Sequence, residues 1–354
     1  MHTMSDAFEQ QALALYAAQR AAVPAYDAWC AYELATSETP AVESWREVPA
    51  LPIAAFKQLP VHDASLPVAA EWHSSGTTAA ERSVHRLSSL DEYDAAIDEG
   101  VAAALLPDVV AGERAPLACV QLQPGPDEAP HSSLGYMYDR IRRGPWCSDA
   151  GSYVSGDYEL DAAGAWQALS RLTQADEPVL VLATSFALVM LLEQAEQLGL
   201  PALVLPKGSR VVDTGGYKGR TRELTRTELL VQIERWLGVP ETWCENEYGM
   251  SELSSQAWLG TVAAASGHPL TLPAAGARWL PATLRVRVVD PQSLREVADG
   301  EAGLLVFHDL ANRWSCAAVR SEDLGIRRGD GFELLGRAPG AALKGCSLRL
   351  EDVQ

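Results

Sequence analysis

The sequence predicts an α/β protein, one compact body with subdomains, and three patterns carry that prediction. Apolar runs rich in β-branched residues alternate with helical segments from Val179 to Cys244. Capping-box spacings open helices at Ser89 and Thr225. Beyond Leu284 apolar and polar residues alternate between turn signals, as in strands with little helix between them.

Taken in order, Phe8, Leu13, Leu15 and Tyr16 lie among alanines and predict a helix ending before Pro24, because a proline pushes the residue ahead of it out of the helical region. The proline-punctuated stretch 49–60 reads as loop or edge strand. Ser89 and Glu92 open a helical run through Ile97 and Val101 to Leu106, stopped by Pro107. From Val179 an apolar run leads into a helix ending near Gly199, then a second run at 202–205 and a glycine turn at Gly215-Gly216, a βαβ rhythm. Thr225 and Glu228 open a helix that closes at Gly238-Val239-Pro240, with a short strand near Thr242-Trp243-Cys244. Leu284, Val286 and Val288, the Asp290-Pro291 turn and the run 303–307 complete a β-rich last third.

Composition excludes several classes. The 354 residues can bury a large core, and 47% hydrophobic with 21% charged residues is ordinary for a globular protein. A net charge of -19 argues against a nucleic-acid partner, since phosphate binding rests on Lys and Arg. Cys30, Cys119, Cys147, Cys244, Cys316 and Cys346 form no CxxC pair or zinc spacing and read as reduced thiols. The opening six residues lack the basic end and apolar core of a secretory signal, so the expected compartment is the cytoplasm. The apolar stretch 178–192 is interrupted by Thr184 and Ser185, too short and polar for a membrane span; it reads as a buried strand running into a helix.

Ser74, Ser75, Gly76, Thr77 and Thr78 pack small hydroxyl residues around one glycine, a composition that lets N–H groups and hydroxyls converge on a phosphate; an ordinary polar turn reads the same way. Arg82, His85 and Arg86 place positive charge just after it, suited to a triphosphate or to the solvated face of an edge strand.

The segment 74–78, Tyr248-Gly249-Met250-Ser251-Glu252, Ser321-Glu322-Asp323-Leu324-Gly325 and Gly336-Arg337 occur in the order seen in adenylate-forming enzymes. Within them the chain resembles the acyl-protein synthetases of bacterial luminescence systems, the LuxE type, related to phenylacetate-CoA ligases. Further signs are Ile53-Ala54-Ala55-Phe56-Lys57, Gly215-Gly216-Tyr217-Lys218 where the family usually has Trp for Tyr, Asp309-Leu310-Ala311-Asn312 and Lys344-Gly345-Cys346-Ser347-Leu348.

The resemblance implies the large N-terminal domain of such an enzyme over residues 1–335, with a short segment 336–354 in place of the usual mobile C-terminal domain. It implies that Ser74 to Thr78 and Arg82 bind ATP phosphates and that Gly215 and Gly216 line the adenine. Tyr248, with Gly249 after it, would stack near the adenine, and Glu252 would hold Mg2+. Asp323 would accept from the ribose hydroxyls and Arg337 would reach ribose or phosphate. The lysine supplied by the longer enzymes' last domain has no counterpart, so Lys218, Arg337 and Lys344 are the candidate cations for the α-phosphate. Cys346 would take the acyl group as a thioester. The implied function is ATP-dependent activation of a carboxylic acid, a fatty acid by default, and transfer of its acyl group to a protein thiol, with an acyl-accepting protein or reductase as partner. The alternatives are an acyl-CoA ligase of the phenylacetate type, or a non-catalytic nucleotide-binding subunit of an acyl reductase complex.

Overall fold

A computed structural model describes residues 2–36, 41–74, 82–215, 224–272, 274 and 276–338. The strands, in chain order, are β1 (Leu51–Pro52), β2 (Ala70–His73), β3 (Val84–Leu87), β4 (Leu117–Leu122), β5 (Cys147–Ser152), β6 (Val179–Thr184), β7 (Arg210–Thr214), β8 (Cys244–Tyr248), β9 (Ala257–Trp258), β10 (Leu284–Val289), β11 (Ala302–Asp309), β12 (Ala318–Arg328) and β13 (Gly331–Arg337). The described residues of Ile97–Tyr248 and Ala257–Thr271 form one unit, and those of Met1–Ala96, Gly249–Gln256 and Leu272–Gln354 a second.

The unit containing 97–248 is an open sheet in the order β5-β4-β6-β7-β8-β9, parallel except for β9. Every residue of β4, β7 and β8 is buried, as are the first five of β6, which is why β4 and β6 read as near-continuous apolar runs. Helices Ala162–Gln174, Ser185–Gln197 and Arg226–Leu237 pack on the sheet through Leu169, Leu188 and Ile233, and Trp166 meets Trp236 edge to face, centroids 5.9 Å apart. Thr225 caps the last of these with a complete capping box, and Gly238 ends it at φ +65°, where a Cβ would lie 2.9 Å from the Val204 Cα.

One expectation needs correction in this unit. The run 202–205 forms no strand: Leu203 and Leu205 donate their N–H groups to the carbonyls of Trp236 and Leu237. The strand of the βαβ unit is instead β7, whose Arg210 is fully buried because it pairs with Asp108 at Nη2–Oδ2 2.5 Å and donates to the Leu105 carbonyl at 2.6 Å. The helix from Asp91 ends at Gly100 and passes through a π-helical turn, Val101–Leu105; Pro107 then opens a further short helix, Pro107–Val110, because a proline tolerates the first helical position.

The other unit holds the sheet β1-β12-β11-β10, with β13 also paired to β12. All its pairings are antiparallel except β1 with β12. The alternation in Leu284, Val286 and Val288 buries those side chains while Arg285 and Arg287, on the opposite face, are partly buried, Arg285 over the Phe8 ring and Arg287 against Glu296. The helix His2–Ala22 ends before Pro24 as expected. The stretch 49–60, expected as loop or edge strand, contributes β1 but also a short helix, Ala55–Gln58, that buries Phe56.

Candidate active site

Glu252 lies in the 249–256 segment, 5% exposed, and the residues around it come from three separate stretches of the same unit. Ser83 donates its hydroxyl to Glu252 Oε1. Asn312 Nδ2 donates to the Glu252 carbonyl at 2.7 Å. His85 Nδ1 stands 2.8 Å from the Ser251 carbonyl, and a carbonyl only accepts, so Nδ1 carries the proton. Its Nε2 then accepts from the Ser315 hydroxyl at 2.7 Å, and burial holds the ring neutral, with its pKa lowered to about 4. Burial pushes the Glu252 carboxyl pKa up, against the opposing pull of the Ser83 hydroxyl and of Lys57 and Arg337. A buried carboxyl that favours a proton also suits a divalent cation in the proton's place, and its oxygen is a hard donor for a hard ion. Glu252 therefore fits the magnesium assigned to it from sequence.

Asp323 and Arg337 face each other across the β12–β13 hairpin. Asp323 is mostly buried and Arg337 is 75% exposed. Ser74 closes the β2–β3 hairpin: its N–H donates to the Ser83 carbonyl at 3.1 Å, and its hydroxyl accepts from the Ser83 N–H at 2.9 Å. Arg82 is exposed two residues before β3. Ser75, Gly76, Thr77, Thr78, Gly216, Lys218, Lys344 and Cys346 lie outside the described residues.

In the other unit Gly215 sits just past β7 at φ +72°, a left-handed backbone that favours glycine. Tyr248 is the buried last residue of β8, with exposed Gly249 after it. Sequence reasoning missed the polar groups at the carboxyl ends of β6, β7 and β8. Ser185 donates to Asp213 Oδ2 at 3.2 Å, Asn246 Nδ2 donates to the same oxygen at 2.7 Å, and Thr214 donates to the Glu247 carboxylate. The carboxyl ends of parallel strands are where such sheets bind ligands, and that rule, applied to a strand ending at Tyr248, was the available signal.

No protein-family model matches the chain. Among solved structures it is similar over 94% of its length to an open conformation of 2-hydroxyisobutyryl-CoA ligase in complex with 2-HIB-AMP and CoA, with TM-score 0.59 and 14% identity, covering 69% of that chain. The fold is that of the adenylate-forming enzymes. The ATP-bound RpMatB-BxBclM chimera B3 shares the adenylate-forming fold over 78% of this chain, with TM-score 0.50 and 16% identity; the present chain spans about half of that protein, 49%. A curated relative, the long-chain-fatty-acid–luciferin-component ligase of Aliivibrio fischeri, is 34% identical over 85 residues, 22% of each chain. No helix among the described residues is long and apolar enough to cross a membrane.

Proposed function

We propose that this chain uses ATP and magnesium to activate a carboxylic acid as its acyl-adenylate and then passes the acyl group to a thiol. The observation that carries the reading is the likeness, over 94% of the chain, to a ligase holding an acyl-adenylate. The buried Glu252 carboxyl and the facing pair Asp323 and Arg337 support it as the residues a magnesium-bound nucleotide would need.

In the first half-reaction a carboxylate oxygen of the acid attacks the α-phosphorus. An O–P bond forms, the bond to the β-phosphate bridge breaks, and pyrophosphate leaves with its electron pair. Asp323 accepts from the ribose hydroxyls, Arg337 reaches ribose or phosphate, and Glu252, which accepts from the Ser83 hydroxyl, would hold the cation. Ser74 to Thr78 and Arg82 bind the phosphates, while Gly215, Gly216, Tyr248 and Gly249 receive the adenine. Magnesium, when bound, screens the phosphate charge. Lys218 and Lys344 are the further cations available to the α-phosphate. In the second half-reaction the Cys346 thiolate attacks the acyl carbon, a thioester forms, and AMP leaves with the electrons of the anhydride bond.

The luminescence-system relative makes a long-chain fatty acid the first substrate to test. Acid-dependent exchange of labelled pyrophosphate into ATP, run over a panel of acids, tests the adenylation step; no exchange with any acid overturns it. Hydroxylamine-sensitive acyl label on the protein, lost in Cys346→Ala while exchange persists, tests the acceptor. The CoA present in the 2-hydroxyisobutyryl-CoA ligase complex favours one second reading, coenzyme A as acceptor, which predicts soluble acyl-CoA and no label on the chain.

A further inference from the structure

Asp309, at the end of β11, is fully buried, and its carboxyl group does not point at Glu252 but at the backbone that follows it. Oδ2 accepts the N–H groups of Ser254 at 2.9 Å and Ser255 at 2.8 Å. Oδ1 accepts the Ser255 hydroxyl at 2.7 Å and the Ala311 N–H at 3.0 Å. Three residues on, Asn312 Nδ2 donates to the Glu252 carbonyl, and its Oδ1 accepts the Ser254 hydroxyl at 2.7 Å. Gln19, from the helix His2–Ala22, braces this turn: its Nε2 donates to the Asn312 carbonyl at 2.7 Å, and its Oε1 accepts the Ala317 N–H at 2.9 Å. The backbone at Glu252, Ser254 and Ser255 is thus gripped by two side chains of one turn.

We infer that Asp309 and Asn312 are positioning residues that fix the 252–255 backbone, so that the Glu252 carboxyl stands where it holds a divalent cation. The inference rests on the reading above that Glu252 is the cation's ligand. The donor set makes Asp309 hard to replace. Each carboxylate oxygen faces two donors, so an amide in its place satisfies two of them and turns its NH2 group against the other two, whichever way it is flipped. A buried donor left without an acceptor costs more than the bond it replaced gained, and the 252–255 segment relieves that cost by shifting.

The test is a Mn2+ titration of the full chain followed by electron paramagnetic resonance, with α,β-methylene ATP present, set beside calorimetric binding of AMP without metal. In Asp309→Asn the Mn2+ affinity falls about fivefold or more while AMP affinity stays within about twofold. Asn312→Ser, which removes the donor to the Glu252 carbonyl with a smaller disturbance, shifts Mn2+ binding the same way and serves if Asp309→Asn does not fold. Unchanged Mn2+ affinity in the folded variants overturns the positioning role, as does a parallel loss of Mn2+ and AMP binding, the mark of a general structural effect. Pyrophosphate exchange by the wild type judges the parent reading separately, and a wild type that binds no Mn2+ removes Glu252 as its ligand and the inference with it.

Discussion

Asp323 and Arg337 are register partners on β12 and β13, with Arg337 Nε 3.8 Å from Asp323 Oδ1. With Arg337 75% exposed the pair adds little to stability, and the role proposed for it is toward a nucleotide. Asp323→Ala is expected to weaken ATP binding at least about tenfold, since each hydrogen bond to a charged acceptor contributes roughly 1.5–3 kcal/mol. Calorimetry on the folded variant checks this, and unchanged binding removes Asp323 from the nucleotide site.

Glu252→Gln keeps the shape of a side chain that is 5% exposed but offers a cation a neutral amide oxygen. The adenylation rate is expected to fall about tenfold or more, with partial recovery at raised magnesium. Pyrophosphate exchange across a magnesium series is the measurement, and full activity at limiting magnesium excludes Glu252 as the ligand.

His85 makes a pH prediction. Its pKa, lowered from 6.5 to about 4 by burial, means that between those values the unfolded chain binds a proton that the folded chain does not. Stability from this group is complete above pH 6.5 and is lost as pH falls toward 4, by at most about 3 kcal/mol. His85→Asn retains a donor for the Ser251 carbonyl but does not titrate. Denaturant melts are expected to show a shallower acid loss in the variant than in the wild type from pH 6.5 to 4.5.

Asp108→Asn leaves the fully buried Arg210 guanidinium without its counter-charge. The expected cost is about 3–5 kcal/mol, because the charge stays buried when its partner is gone. Arg210→Met with Asp108→Asn removes both charges and is expected to recover about half of that loss in urea unfolding.

What the sequence made readable was local. The Thr225 capping box needs only residues three apart, and helix and cap both stand as read. The strand β7 carries no purely apolar run because Arg210 and Asp213 stand in it; they are buried by pairing with Asp108 and Asn246, which lie far away in the sequence. Likewise Glu252 is a candidate by its motif alone, whereas Ser83, His85 and Asp309 surround its segment through contacts between distant segments that no local pattern records. In the sequence Asp309 and Asn312 stand out only as part of a resembling tetrapeptide.

The parallel pairing of β1 with β12, Leu51 against Val319 and Pro52 against Arg320, bears on how the protein is born. Residues 97–248 leave the ribosome as one uninterrupted stretch and can begin to pack as soon as they emerge. Leu51 must wait for Val319, on the order of tens of seconds at a synthesis rate of about 5–20 residues per second. Until then β1 stands without the strand it joins in the finished molecule. The nascent chain is therefore exposed to aggregation around β1 while β12 is awaited, and slowing translation after residue 97 should raise its demand for chaperones rather than ease it.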